Sequence, residues 1–177
     1  NAAGTTTPTP PPPVTVAGKV VIDQSIRDAT VCIDLNANNA CDSSEPTAAA
    51  TGADGSYRLT YDSAKITAEQ LTKAALIALI PASTAVDAAN PTVGVTAKSY
   101  VLSTPAGKPG QVNPLTTLVQ TGMASGLTLA EATAAVALQM GITEAEIFDY
   151  QASPATTAPN SFSDTARLMA KVTASAL

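Results

Sequence analysis

The stretch "CIDLNANNACDSSE", residues 32–45, sets Asp34, Asn36, Asn38, Asn39, Asp42 and Glu45 close together and holds both cysteines of the chain. Side-chain and backbone oxygens at this density are the donor set of a hard cation. Calcium takes about six to eight oxygens, and a twelve-residue loop supplies them from positions 1, 3, 5, 7, 9 and 12. Counted from Asp34, those positions are Asp34, Asn36, Asn38, the Ala40 carbonyl, Asp42 (directly or through water) and Glu45. Position 6, where glycine is expected because the chain turns with positive φ, is Asn39, the next most tolerant residue for that conformation. Three carboxylates around one dication leave a single net negative charge, so calcium is the expected ion. Magnesium fits less well because it demands a tighter octahedron. The alternative is a metal-free polar loop whose Asn and Asp side chains bond their own backbone.

Cys32 and Cys41 flank most of this loop. A disulfide between them closes a ring of about ten residues, worth roughly 2.5 to 3 kcal/mol by loop entropy. A free redox pair is the other reading, but the spacing is not C-x-x-C and no cation stands beside either thiol in sequence to lower its pKa. The bonded pair is expected, holding the two ends of the loop together.

The flanks decide what such a loop is built into. "ATVCID" before it and "PTAAATG" after it read as strand, not as the helices of a calcium sensor. Across residues 14–62, "VTVAGKVVID" alternates, "ATVCIDL" is β-branched and apolar, and "TAAATGADGSYRLTYD" places an Asp-Gly turn between strand-like flanks. This predicts short antiparallel strands of a sandwich. A brief helix follows over residues 67–74, with Thr67 and Gln70 as a capping box, then a strand in "ALIALIPA" and one or two more in "TVGVTAKSYVLSTPAG".

At Asn113 the pattern turns helical. "NPLTTLVQTGMASG" has an Asn N-cap, Pro at the first helical position, apolar residues at 115, 118, 119 and 123, and Gly126 as a stop. "TLAEATAAVALQMG" repeats the device with Thr128, Glu131 and Gly141, and "TEAEIFDY" with Thr143 and Glu146. Ser163 caps a fourth predicted helix that meets the chain end without a stop signal, so the sequence reads as part of something longer. The expected division is an extended Thr/Pro-rich arm (1–13), a β-sandwich module carrying the calcium loop (14–112) and an α-helical module (113–177), an α+β protein.

Composition narrows the function. Aromatic residues make up only 3% of the chain, so the core must be built from Val, Ile, Leu and Ala and benefits from staples. A net charge of -5, with no run among the nine basic residues, argues against a nucleic-acid partner. The absence of histidine removes the commonest general base and the base of Ser-His and Cys-His nucleophilic systems. No apolar run is long enough for a transmembrane segment. The opening "NAAGTTTPTPPPP" prefers polyproline II and reads as the start of a processed, exported chain in an oxidising compartment. The arm is either a spacer from a surface anchor or a segment packed on a neighbouring subunit.

The stretch "VTVAGKVV...ATVCIDLNANNACDSSEPTAAATGADGSYRL" resembles the carboxypeptidase-regulatory-like, transthyretin-type sandwich repeats. Its "D-x-N-x-N-x-x-x-D-x-x-E-P" core resembles the calcium loops of the B repeats in Gram-positive serine-aspartate adhesins. The resemblance covers about residues 14–62 and implies an immunoglobulin-like antiparallel β-sandwich, stiffened by calcium on a cell surface and followed by a small helical bundle. The helical part, "VNPLTTLV...ASGLTLAEATAAVALQMGI", is similar to segments of uncharacterised bacterial surface lipoproteins, which carry no function with them.

Other chemistries find little support. Lys19 invites an intramolecular isopeptide bond, but nothing in the later strands marks a partner Asn, and a solvated strand lysine is expected. Ser103, Thr104 and the many other hydroxyls have no evident base. Glu69, Glu131, Glu144, Glu146 and Asp149 fall in helix first turns or on exposed faces. The sequence therefore predicts a non-catalytic, calcium-stabilised extracellular structural module, a cell-surface or filament-forming subunit with its neighbours reached through the arm. The second reading is a surface lipoprotein that binds a ligand, with glycans as one class and the arm as tether. Aromatic scarcity counts against it, because sugar sites commonly stack on rings.

Overall fold

A computed structural model describes residues 9–82, 85–87 and 99–151. In chain order the strands are β1 (Val14–Val20), β2 (Ile26–Arg27), β3 (Thr30–Asp34), β4 (Ser56–Tyr61), β5 (Ala75–Ile80), β6 (Val86–Asp87), β7 (Tyr100–Thr104) and β8 (Gln111–Val112). The helices are α1 (Ala68–Lys73), α2 (Pro114–Ala124), α3 (Leu129–Met140) and α4 (Glu144–Phe148). The class is α+β. The fourth helix expected after Ser163, and the part of the predicted β segment before residue 99, lie outside the described residues.

The strands form three sheets, ordered β4-β1-β8, β2-β6 and β3-β5-β7. β-branched and apolar residues alternate along the strands, so one face of each three-stranded sheet turns inward. Val20, Tyr57, Leu59 and Val112 from the first sheet and Val31, Ile33, Leu76, Ala78, Ile80 and Leu102 from the second join one apolar cluster. Burial of a Val, Leu or Ile side chain contributes about 1.5–3 kcal/mol, so this mainly aliphatic cluster holds the two sheets together.

Most pairings are antiparallel, as expected, but β8 runs parallel to β1, with Lys19 opposite Gln111 and Val20 opposite Val112. Gly18 permits this close approach. The Pro109 carbonyl lies 1.9 Å from where a Cβ on Gly18 would stand, so only glycine lets the chain come alongside β1 there. The Lys19 N–H then donates to the Gly110 carbonyl (3.1 Å) and the Val21 N–H to Val112 (3.0 Å). The Tyr57 hydroxyl donates to the same Pro109 carbonyl at 2.6 Å, and burial pushes its pKa well above the ordinary tyrosine value, so it remains a donor.

The flank after the polar loop differs from the expected strand. Residues 46–51 run along the outer edge of β3 with irregular bonds: Ile33 N–H to the Pro46 carbonyl, Ala48 N–H to Val31 and Thr51 N–H to Ala29. Pro46 has no N–H to offer, which breaks the regular ladder at its start.

The helices begin where the sequence places them. Thr67 with Gln70, Thr128 with Glu131 and Thr143 with Glu146 each form a reciprocal capping box, and Asn113 forms one with Thr116 ahead of Pro114. Gly141, at φ 68°, closes α3. The Thr128 backbone N–H, followed by its hydroxyl, holds the Glu131 carboxyl below its ordinary value. Leu115, Val119, Ala132, Val136 and Ile147 pack into a second apolar cluster that also takes in Val21. That residue ties the helices to the sheet, as does the buried Tyr150, whose hydroxyl donates to the Ile22 carbonyl.

α2 has a second buried face. The Thr116 hydroxyl donates to the Ser103 carbonyl (2.7 Å), and the Thr117 hydroxyl accepts from the Ser103 N–H (2.9 Å). These bonds satisfy the outward backbone groups of an edge strand, where a row of unpaired groups invites association. Among the described residues, no helix is long and apolar enough to cross a membrane.

Candidate metal centre

β3 ends at Asp34, and the chain returns along the edge of the same strand from Pro46 onward, so loop 34–45 joins two adjacent extended segments. Cys32, fully buried in β3, is disulfide-bonded to Cys41 across the loop. Cys32 sits beside Ala75 and Ile77 in a small apolar cluster on the sheet face opposite the main core, with Cys41 packed against it. Cys41→Ser is therefore expected to lower unfolding free energy by roughly 2.5–3 kcal/mol, the loop-entropy value for a ring of this size. Urea titration of the variant, and of the natural chain with and without reductant, measures this. Matching midpoints would remove the staple from the stability account.

The loop is folded by its own carboxylates. Asp34, only 3% exposed, accepts the Asn38 N–H on Oδ1 (3.1 Å) and the Asn39 N–H on Oδ2 (2.9 Å). Glu45, 7% exposed, accepts the Leu35 N–H on Oε1 (2.7 Å) and the Asp42 N–H on Oε2 (3.1 Å), joining the loop's first residues to its last. The Asn36 and Asn38 amides both donate to Asp42 Oδ2, at 2.8 and 2.9 Å. The Asn36 Oδ1 accepts the Asn38 N–H, and the Asn38 Oδ1 accepts the Ala40 N–H.

Two residues of this loop take the left-handed conformation, Asn39 at φ 58° and Ala37 at φ 57°. The first is the turn expected at the sixth loop position. The second carries no sequence signal, and left-handed backbone costs an alanine about 1–2 kcal/mol. The buried Asp34 and Glu45 bonds on either side hold the strained turn in place.

All six predicted positions thus lie on one compact loop. Asn36, Asn38 and Asp42 converge, whereas Asp34 and Glu45 each bind a separate part of the loop backbone. Among the described residues, no group of three or more His, Cys, Asp or Glu side chains is drawn together as a metal cluster. The donor set is nevertheless all oxygen. Each carboxylate oxygen has a further lone-pair site beyond the single N–H taken by Asp34 and Glu45, and rotation of the exposed Asn36 and Asn38 amides presents oxygen in place of N–H. A hard cation would require Asp34 and Glu45 to turn from the backbone N–H groups they accept toward Asn36, Asn38 and Asp42.

The remaining candidates are placed simply. Lys19 is exposed on β1. Glu69 pairs with Lys73 at 2.9 Å on the exposed face of α1, and Asp149 accepts from Gln111 Nε2 at 2.9 Å. The Thr104 hydroxyl donates to the Lys108 carbonyl at 2.8 Å. Sequence reasoning missed Thr116 and Thr117 as partners of β7, since a hydroxyl beside an N-cap reads as part of the cap.

The chain matches no protein-family model, curated protein or solved structure.

Proposed function

We propose that this chain is a non-catalytic structural module of a cell surface or filament, exported to an oxidising compartment and rigidified by Ca2+ in loop 34–45. The observation that carries the reading is the loop itself: an all-oxygen donor set at calcium spacing, joined end to end by Glu45 and closed beneath by the Cys32–Cys41 disulfide. Asp34, Asn36, Asn38, the Ala40 carbonyl, Asp42 and Glu45 would hold the ion, which would replace the hydrogen bonds that now satisfy these oxygens. Extended flanks make the metal a clamp rather than a helix-opening switch.

The same reading takes the two three-stranded sheets as an immunoglobulin-like β-sandwich of the carboxypeptidase-regulatory-like kind, with residues 113–177 as an α-helical module. Shared apolar residues between the sheets support it. The arm is the contact to neighbouring subunits. Residues 9–13 are exposed and lead into Val14, the first residue paired in β1, at the Val14–Tyr61 end of the sheet. An apolar groove of about 410 Å³, lined by Val16, Ile33, Tyr61, Leu71, Leu76 and Pro109, opens there. A proline-rich arm from a second copy suits such a groove, because a preformed polyproline helix loses little entropy on docking.

Deleting residues 1–13 is expected to leave a folded monomer that no longer assembles, read by sedimentation velocity and by electron microscopy of the native material. Assembly unchanged by the deletion would reduce the arm to a spacer.

A further inference from the structure

We infer that the outward face of α3 is a docking surface whose occupant is segment 163–177 of the same chain, laid across it as an amphipathic helix. This goes beyond the proposed structural role and is independent of calcium and of assembly.

The composition of α3 carries the inference. Glu131 is the one charged residue between Leu129 and Met140. The inward face buries Ala132, Val136 and Ala137 in the apolar cluster shared with α2 and α4. The outward face presents Ala134, Ala135 and Leu138, with Leu138 87% exposed. Ala134 and Leu138 stand one helical turn apart on the same side. A helix that lies on a protein surface turns a charged face to water, whereas one that is apolar on both faces is a helix buried on both. The small side chains of Ala134 and Ala135 let a second helix come close, with Leu138 as the anchor between them.

Reach and pattern identify the occupant. The described chain ends at Gln151, directly after Tyr150, which is buried in the same apolar cluster as Val136 and Ala137. Residues 152–162 then lead to Ser163 and can span up to about 36 Å, against about 18 Å for the whole length of α3. In "SDTARLMAKVTASAL", residues 163–177, the apolar Leu168, Met169, Val172 and Ala176 recur at the spacing of one helical face. Asp164, Arg167 and Lys171 fall on the other side of that helix, so docking leaves all three in water. A second copy of the chain is the weaker occupant. A face about 18 Å long and about 10 Å wide falls short of the roughly 800 Å² per partner of a stable interface, whereas a short tether supplies its segment at about millimolar effective concentration.

The test is amide hydrogen exchange of the full chain, read by mass spectrometry, in the natural protein and in Leu138→Glu, Leu138→Met and Met169→Glu. Amides of residues 167–176 are expected to be protected in the natural chain. Leu138→Glu, which would set a carboxylate against the docked apolar face, is expected to speed their exchange about tenfold or more while leaving α2 protected, and Met169→Glu is expected to do the same from the other side of the contact. Leu138→Met keeps the volume and is expected to keep the protection. Unprotected 167–176 amides in the natural chain would overturn the inference. Protection that survives Leu138→Glu with α2 intact would also overturn it, placing the segment on another surface. Protection that fades on dilution, with a dimer in sedimentation velocity, would overturn it in favour of a second copy.

Discussion

Asp34→Ala combined with Glu45→Ala is expected to abolish the calcium response of the protein. If loop 34–45 takes calcium as proposed, the ion at about a hundredfold over its dissociation constant adds about 2.7 kcal/mol to the stability of the natural chain. For a chain of this size that raises the melting temperature by about 5–10 °C. The double variant removes the first and last loop ligands, so its melting temperature should be the same in calcium and in chelator.

A second effect separates metal loss from loop loss. These carboxylates also accept the Leu35, Asn38, Asn39 and Asp42 N–H groups, so the variant should be less stable than the natural chain even in chelator, by about 2–4 kcal/mol. Differential scanning calorimetry of both proteins under both conditions gives the four values. Identical melting of the natural chain with and without chelator would refute the calcium assignment. The result would then favour the metal-free polar loop, whose Asn and Asp side chains already bond their own backbone.

Gly18→Ala is expected to be the most damaging single substitution outside the apolar clusters. The new Cβ would lie 1.9 Å from the Pro109 oxygen and 3.0 Å from that of Gly110. Both are backbone atoms, so no side-chain rotation relieves the clash and the 109–112 segment must withdraw from β1. Withdrawal removes the Lys19–Gly110 and Val21–Val112 hydrogen bonds and pulls the Pro109 carbonyl from Tyr57. The cost should reach about 3 kcal/mol or more, at the upper end of overpacking effects. Urea denaturation measures it, and a loss below about 1 kcal/mol would mean that β8 is not held to β1 as described.

The parts legible in the sequence are those encoded by near neighbours. Each capping box lies within four consecutive residues, so Thr128 and Glu131 announce the start of α3 without knowledge of anything else in the fold. Asn39 announces a left-handed turn by its type. β8 could not be read this way: two residues carry no periodicity, and their partners lie in a strand more than half the chain away. Gly18 reads as a weak point in a strand until Pro109 is brought beside it. Ala37 gives no hint of positive φ, because its conformation is imposed by the bonds of the following Asn38 and Asn39 N–H groups to Asp34 and Asn36 rather than preferred by its own side chain. Spacing identified which residues share the polar loop, whereas the division of labour among them, Asp42 gathering amides while Glu45 joins the loop ends, depends on three-dimensional closure.

The parallel pairing of β1 with β8 also sets an order of events for a chain made from its N-terminus. β1 can meet β4 early, but the first sheet stays unfinished until residues 111 and 112 are available. The Tyr150–Ile22 contact spans 128 positions and must come later still. Closing such long loops is entropically unfavourable before their contacts form, which slows folding. Throughout that interval the nascent chain carries β1 with much of one edge unpaired, a hazard for association with other unfinished chains. The prolines immediately before Val14 lack N–H groups and shorten the part of that edge open to such pairing.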